Sequence, residues 1–297
     1  MAAMPSPLAP GSVTRRGRPT SKRSMHCLTS LMAAAAIAAA ASPVLAERRA
    51  PAPWVRPTLV YEIGPGYIAQ NDGRYGDQGT SYEAADVGQQ DNLVNVARTS
   101  LELATGRHTL VLLYAPFAVT TEVRLAEALQ FRDTQFAAGT VVRHRYLFDG
   151  YRASYLYRLL ASRGIEWQGG GSLQIRNADV AFTSVAGDQR AHQDDIGLVF
   201  AAKTRLWVRS RPDAVWGSLD ADAFSTFGLV DGVSGAIYDV GLTVGQPIGR
   251  GVSVTLGGRL VGGGADVEKQ DIYNWANFVS LTAGVRIELD TLVRGKR

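Results

Sequence analysis

Cysteine is almost absent from this sequence, since Cys27 is the only one among 297 residues. It lies in an N-terminal segment that we expect to be removed on export. The mature chain would then have no disulfide and no thiolate ligand for a metal ion. The remaining chain, about 250 residues long, must be held together by its own packing and hydrogen bonds.

Long apolar runs and cofactor motifs are also lacking. After Ala46 no run of about 18 apolar residues occurs, which excludes a transmembrane helix in that part of the chain. The triple glycines at 169–171 and 262–264 are not followed by a helix with Lys and Ser or Thr, so they are not phosphate-binding loops. We therefore expect no cofactor and no metal site.

The N-terminal 46 residues have the layout of an export leader. Two basic residues at 22–23 precede an apolar run from 28 to 41, and the segment SPVLA then ends on the small residue Ala46. This order predicts a secretory signal peptide over about residues 22–46, with cleavage after Ala46.

The excess of positive charge belongs to the leader. Of the 31 Lys and Arg residues, five lie before residue 47, where no acid occurs; 26 basic and 27 acidic residues remain, a net charge of −1. The basic pI of the whole chain is therefore no argument for nucleic-acid binding, and we expect no nucleic-acid partner.

Alternation of apolar and polar residues is the strongest pattern. In VSLTAGVRIEL, residues 279–289, Leu281 and Val285 lie on one face, and Arg286 and Glu288 on the other. The pattern predicts an all-β chain of ten strands, within a range of eight to twelve, at 58–70, 93–104, 108–122, 150–160, 167–176, 196–208, 215–226, 236–246, 252–262 and 279–289. Asp149-Gly150 is a hairpin signal, which makes residues 140–148 a further strand or a strand extension.

The connections between these segments differ in length. Short ones lie at 105–107, 162–166, 210–214 and 249–251, and longer polar ones at 71–92, 123–149, 183–195 and 263–277, with the short link 229–235 as an exception. Short turns at one end and long loops at the other are typical of an up-and-down barrel. An even number of strands brings both termini to the short-turn end.

The polar face of the segments carries many charges, and the other face carries almost none. The charged set is Glu62, Arg98, Glu102, Arg152, Arg158, Arg176, Lys203, Arg205, Asp220, Asp222, Asp239, Arg259, Arg286 and Glu288. A soluble β-sandwich would turn this face to water, and a membrane barrel would turn it into the lumen. The apolar face, with aromatic residues such as Tyr61, Tyr151 and Phe278 near strand ends, favours the barrel.

These features resemble those of a small bacterial outer-membrane β-barrel protein, over residues 57–290. The resemblance implies an up-and-down antiparallel transmembrane β-barrel at 58–290, after an extended lead-in at 47–57 and before a basic tail at 291–297. It implies the outer membrane as location, with its lipid, lipopolysaccharide, and the export and barrel-assembly machineries as partners. One departure is that no terminal aromatic residue closes the last strand, which ends near Leu289.

Four functions are compatible with this interpretation. The first is a structural or interaction barrel with a lumen filled by ion pairs, in which Lys203 lies opposite Asp220, and Asp239 lies close to Arg259. The others are a small channel, a barrel enzyme and a soluble periplasmic binding protein. An omptin-like enzyme would use the rim cluster of His192, Asp194 and Asp195, and a lipid-modifying enzyme would pair His144 with Ser154. We expect the protein not to be an enzyme.

Overall fold

The computed structural model describes residues 55–211 and 213–294. The predicted signal peptide lies outside these residues. The strands are β1 (Arg56–Tyr75), β2 (Leu93–Thr105), β3 (His108–Ala115), β4 (Ala118–Arg124), β5 (Leu129–Phe131), β6 (Thr134–Phe136), β7 (Val141–Ser162), β8 (Ile165–Ser184), β9 (Arg190–Arg209), β10 (Trp216–Ser225), β11 (Val233–Gly249), β12 (Val252–Val267) and β13 (Ile272–Glu288). A short helix, α1 (Leu289–Arg294), follows β13.

The strands close into a ten-stranded antiparallel barrel in up-and-down order. β1 pairs with β13, which joins the two ends of the sheet. β3 and β4 pair with successive parts of β7 and act as one barrel strand that is interrupted at Pro116, where no backbone N–H is available for the ladder. The predicted fold class and strand number are confirmed.

The apolar face of the barrel points outward. Along β13, the outward-facing residues Val279 and Leu281 are 43% and 67% exposed. Thr282, which faces the lumen, is buried. Leu198, Phe200, Leu242 and Leu256 from other strands are exposed in the same way. Because a soluble barrel would bury these side chains, the wall is built to face lipid.

Several strands are longer than the sequence pattern predicts. Residues 141–150 form part of β7, so the predicted strand extension is confirmed, and the alternatives of a separate strand and a hairpin at Asp149-Gly150 were wrong. The predicted loops at 183–195 and 263–277 shrink to 185–189 and 268–271. Backbone pairing between neighbouring strands continues beyond the apolar belt, so paired strands replace most of these two predicted loops.

The long-loop end of the barrel contains a hydrophobic core. The segment 76–92 and the β5–β6 hairpin fold over this end, and Phe131, Phe136 and Phe182 are fully buried there. Phe131 and Phe182 pack with ring centroids 5.1 Å apart, and Tyr82 meets Phe182 edge-on at 5.6 Å. We call this layer the apolar cap; its buried core is Ile68, Tyr75, Tyr82, Val87, Val119, Leu125, Leu129, Phe131, Phe136, Val142, Tyr146, Val180, Phe182, Ala191 and Ala276.

The ends of the predicted barrel differ slightly from the sequence-based boundaries. β1 begins at Arg56, within the predicted lead-in. β13 ends at Glu288, and α1 occupies 289–294, where the pattern placed the end of the barrel and the start of a basic tail.

Candidate functional site in the barrel interior

The centre of the lumen is built around two buried carboxylates, Asp222 on β10 and Asp239 on β11. They are 3% and 2% exposed. Arg152 on β7 bridges them, since its Nη1 donates to Asp222 Oδ2 and to Asp239 Oδ2 at 2.9 Å each. Asp239 also accepts from Arg259 Nη1 at 2.5 Å and from Arg98 Nη1 at 3.4 Å. Two carboxylates thus tie together side chains from five strands.

A second group of ion pairs lies nearer the short-turn end and joins the first through Lys203. Lys203 Nζ is 2.6 Å from Asp222 Oδ2 and 3.7 Å from Asp220 Oδ1. Arg205 links Asp220, at 2.7 Å from its Nε, to Glu102, at 2.8 Å from its Nη1. Arg286 Nη1 then donates to the other oxygen of Glu102 at 2.7 Å.

Eleven of the fourteen predicted lumen residues form this connected network. Glu62 joins it through Arg98, whose Nε is 3.6 Å away. The six cations and five anions are Arg98, Arg152, Lys203, Arg205, Arg259 and Arg286, with Glu62, Glu102, Asp220, Asp222 and Asp239. Because opposite charges nearly balance and carry hydrogen bonds, this ionic layer fits inside a hydrocarbon-embedded wall.

Three residues of the predicted set lie elsewhere. Arg158 is near the short turns, where its Nη2 donates to the carbonyl of Gly106 at 3.0 Å. Arg176 pairs with Asp195 at the level of the apolar cap. Glu288 ends β13 and is exposed. Sequence parity alone put all three on the inner face, but it carries no information on height along the barrel.

The pairing of β9 with β10 differs by two residues from the predicted register. Trp216 lies opposite Arg209, not Trp207, so Lys203 faces Asp222 and Arg205 faces Asp220. The predicted opposition of Lys203 and Asp220 was therefore wrong, although the two remain diagonal neighbours. Pairing starts at Arg209 and Trp216, so the turn lies one residue further along the chain than the predicted register required, and its position sets the register.

Two tryptophans that were not among the predicted site residues also face the lumen. Trp207 and Trp216 have ring centroids 4.4 Å apart. The guanidinium of Arg286 lies 4.9 Å from the centre of the Trp207 ring, which allows a cation–π contact. Both positions have the parity of Lys203 and Arg205 or of Asp220, so their inward orientation was readable from the alternation.

The predicted rim cluster is divided between the two faces of the wall. His192 and Asp194 point outward above the apolar belt, whereas Asp195 has the inward parity and pairs with Arg176. His192 Nδ1 is 3.6 Å from Asp179 Oδ1, but Asp179 is already held by Arg145 at 2.8 Å. This arrangement is a surface ion-pair group, with no enclosed site for a substrate.

The alternative pair of His144 and Ser154 is not brought together. The two residues lie ten positions apart on β7, which is about 33 Å along an extended strand. His144 is fully buried in the apolar cap and stacks on Phe182 at 4.1 Å, and Ser154 hydrogen-bonds Ser172 at 2.8 Å inside the lumen. Burial lowers the pKa of His144 to about 3. In this layer the uncharged imidazole packs against Phe182, far from Ser154.

Two small cavities in the described part of the barrel adjoin the ionic network. One, of about 70 Å³, lies among Glu62, Glu102, Arg205 and Trp207. The other, of about 60 Å³, lies between the ionic network and the apolar cap. Arg152 lines both, so the network stands between them. The lumen is thus obstructed twice, by charges near its middle and by aromatic side chains at its outer end.

Among residues 55–211 and 213–294, no group of three or more His, Cys, Asp or Glu side chains is placed to hold a metal ion. No helix in the described part of the chain is long and apolar enough to cross a membrane.

The apolar outer wall, the ionic lumen and the ten-stranded closure define the protein as a β-barrel of the bacterial outer-membrane type. Among solved structures, the chain is similar to Ail, the attachment invasion locus protein of Yersinia pestis, with 12% identity over 78% of this chain and 99% of that one and a TM-score of 0.36. It is similar to the outer membrane protease OmpT of Escherichia coli, with 9% identity, 78% and 96% coverage and a TM-score of 0.38.

A third similar structure is the toluene transporter TodX of Pseudomonas putida, with 6% identity, 78% and 90% coverage and a TM-score of 0.31. No protein-family model matches the chain, and no curated protein matches its sequence. At these TM-scores the three similarities add no functional argument, and the class rests on the architecture of the chain itself.

Proposed function

We propose that this protein is a closed structural or interaction barrel of the bacterial outer membrane, which acts through its surfaces rather than by conducting solutes. The observation that carries the proposal is the double obstruction of the lumen. The ionic network links inward-facing side chains of eight strands, namely β1, β2, β7 and β9 to β13. The apolar cap closes the long-loop end above it.

Both obstructions oppose ion flow for physical reasons. A passing ion must displace buried charge pairs, and breaking such a pair costs about 3–5 kcal/mol. It must then cross the apolar cap, where Phe131, Phe136 and Phe182 offer no polar group to replace its water. This supports a closed barrel over the channel alternative.

The location and partners follow from the same proposal. The signal peptide at about 22–46 directs export, and the chain then inserts with help from the barrel-assembly machinery. The first described strand begins, and the last one ends, at the short-turn end, which in barrels of this type faces the periplasm. The apolar belt contacts lipid, and the outward-facing polar residues above it, such as Arg145 and Asp179, lie among lipopolysaccharide head groups.

The test combines heat modifiability with conductance. The full sequence is expressed in a Gram-negative host, and the protein is extracted from the outer-membrane fraction in mild detergent. We expect it to migrate differently in SDS before and after boiling, which reports a closed barrel. In planar bilayers the unboiled protein should give no steady conductance at neutral pH.

Each arm has its own contradicting result. Stepwise, long-lived conductance from the unboiled protein would support the channel alternative and reject the closed barrel. A water-soluble protein that does not shift on boiling would reject the membrane orientation and favour a soluble periplasmic domain. As a matched control for insertion, the boiled sample is added to a second bilayer at the same protein concentration.

A further inference from the structure

The larger of the two lumen cavities has a strongly positive lining. All six cations of the ionic network line this cavity of about 70 Å³, but only three of the five anions do, namely Glu62, Glu102 and Asp220. Asp222 and Asp239 line the smaller cavity, where two arginines balance them. Six cations and three anions give the lining of the larger cavity a formal charge of +3, whereas that of the smaller cavity is zero.

Two of the cations around the larger cavity are incompletely compensated. Arg286 is 2.7 Å from the carboxylate of Glu102, which it shares with Arg205. Within the described part of the chain, the buried Nε of Arg98 has no acceptor within hydrogen-bond distance, since Glu62 Oε2 is 3.6 Å away. The connected network as a whole carries one more cation than anions. Because a buried charge without a partner is unfavourable, this surplus favours the entry of a counter-ion.

The groups around the cavity favour an oxyanion over a halide. Five of the six cations are arginines, whose planar guanidinium groups present paired N–H donors that match the oxygens of phosphate or carboxylate. Ser100, Ser218 and Thr255 also line the cavity and bring hydroxyl groups that can donate further hydrogen bonds. A single water molecule needs about 10–15 Å³ of such space, so the cavity has room for an anion of a few heavy atoms but not for a nucleotide.

The cavity is accessible to solvent on the side of the short turns. The side chains of Asp220 and Arg286 in its lining keep 17% and 18% of their surface exposed, whereas the apolar cap covers the opposite end of the lumen. We propose that this cavity is a binding site for one small inorganic oxyanion of the size of phosphate, taken up from the periplasm. The direction of uptake rests on the membrane orientation and the closed outer end of the proposed function.

The experiment is equilibrium dialysis of the heat-modifiable full-length barrel, in mild detergent at neutral pH, against radiolabelled inorganic phosphate. We expect saturable binding that approaches one phosphate per barrel. Unlabelled phosphate should displace the label. Sodium chloride at the same ionic strength should displace much less of it, because a halide cannot use the paired donors of a guanidinium group.

Two variants change the charge of the lining in opposite directions. Arg286→Met removes a cation but leaves Glu102 paired with Arg205, and phosphate binding should weaken by about tenfold or more. Glu62→Gln removes a carboxylate from the lining at almost unchanged volume, and phosphate should bind more tightly. Arg158→Met is the matched control, since Arg158 lies near the short turns but does not line the cavity, and this variant should bind phosphate as the unaltered barrel does.

Three results would overturn the oxyanion site while leaving the membrane barrel intact. They are a lack of saturable phosphate binding by protein that shifts on boiling, equal displacement of the label by chloride, and an equal loss of binding in Arg286→Met and Arg158→Met. If Arg286→Met does not give the heat-modifiable form, Glu62→Gln decides, and unchanged or weaker binding in that variant would reject the site.

Failure of the proposed function gives a different set of results. Stepwise conductance from a barrel that still binds phosphate would reject the closed lumen and leave the oxyanion site standing. A water-soluble protein that does not shift on boiling would reject the membrane barrel, and uptake from the periplasmic end of a lumen with it.

Discussion

Removal of the Asp239 carboxylate tests whether the ionic network stabilises the barrel. Asp239 is 2% exposed and accepts hydrogen bonds from Arg98, Arg152 and Arg259. In Asp239→Ala, Arg98 keeps Glu62 and Arg152 keeps Asp222, but Arg259 loses the acid that neutralises it. Leaving a buried charge without its partner costs about 3–5 kcal/mol.

The assay is urea unfolding of the protein in lipid vesicles, followed by tryptophan fluorescence under conditions where folding is reversible. With a denaturant slope of about 2 kcal/mol/M, a loss of about 4 kcal/mol lowers the midpoint by about 2 M. Asp266→Ala is the control, because Asp266 is half exposed and its contact with Arg74 measures 4.0 Å. An exposed pair of this kind contributes about 0–1 kcal/mol.

Further variants separate the charge effect from a general loss of packing. Adding Arg259→Met to Asp239→Ala removes the unpaired cation, and part of the lost stability should return. A midpoint for Asp239→Ala that matches the Asp266→Ala control would refute the reasoning, since the network would then contribute nothing beyond a surface ion pair.

Two other predictions concern the apolar cap and the strand register. Because burial holds the pKa of His144 near 3 and an exposed histidine has a pKa of about 6.5, only the opened cap takes up a proton between these values. The free energy of opening the cap should therefore fall as the pH drops from about 6.5 towards 3, by at most about 5 kcal/mol, and hydrogen exchange of residues 76–92 should rise. In His144→Phe this pH dependence should disappear. If it persists, the effect belongs to other groups. In double-mutant cycles, Lys203 should couple to Asp222 by about 0.5–3 kcal/mol and more weakly to Asp220, because the respective distances are 2.6 and 3.7 Å; stronger coupling to Asp220 would contradict the observed register.

The alternation of side chains was sufficient to predict the barrel class. A strand has a period of two, so each residue's face follows from its parity, and the charged residues from Glu62 to Arg286 could be assigned to one side from the sequence. The predicted leader and the lack of a long apolar run after Ala46 limited the ways in which such a chain could meet a membrane. The inward orientation of Trp207 and Trp216 was available from the same rule.

Tertiary structure decided how far each strand runs and which residues share a height. Polarity at 183–195 and 263–277 suggested loops, but backbone hydrogen bonds between neighbouring strands continue there regardless of side-chain character. The register between Lys203 and Asp222 depends on the geometry of one turn, and parity does not encode it.

What the sequence by itself determined, then, is the barrel and the composition of its two faces, because both depend on a local period. The apolar cap and the placement of His144 within it depend on contacts between segments far apart in the chain. Residues 76–92 and the β5–β6 hairpin read as polar loops until folding brings their few apolar side chains onto Phe182. Such long-range packing has no local signature, so only the three-dimensional structure could reveal the aromatic layer over the long-loop end of the lumen.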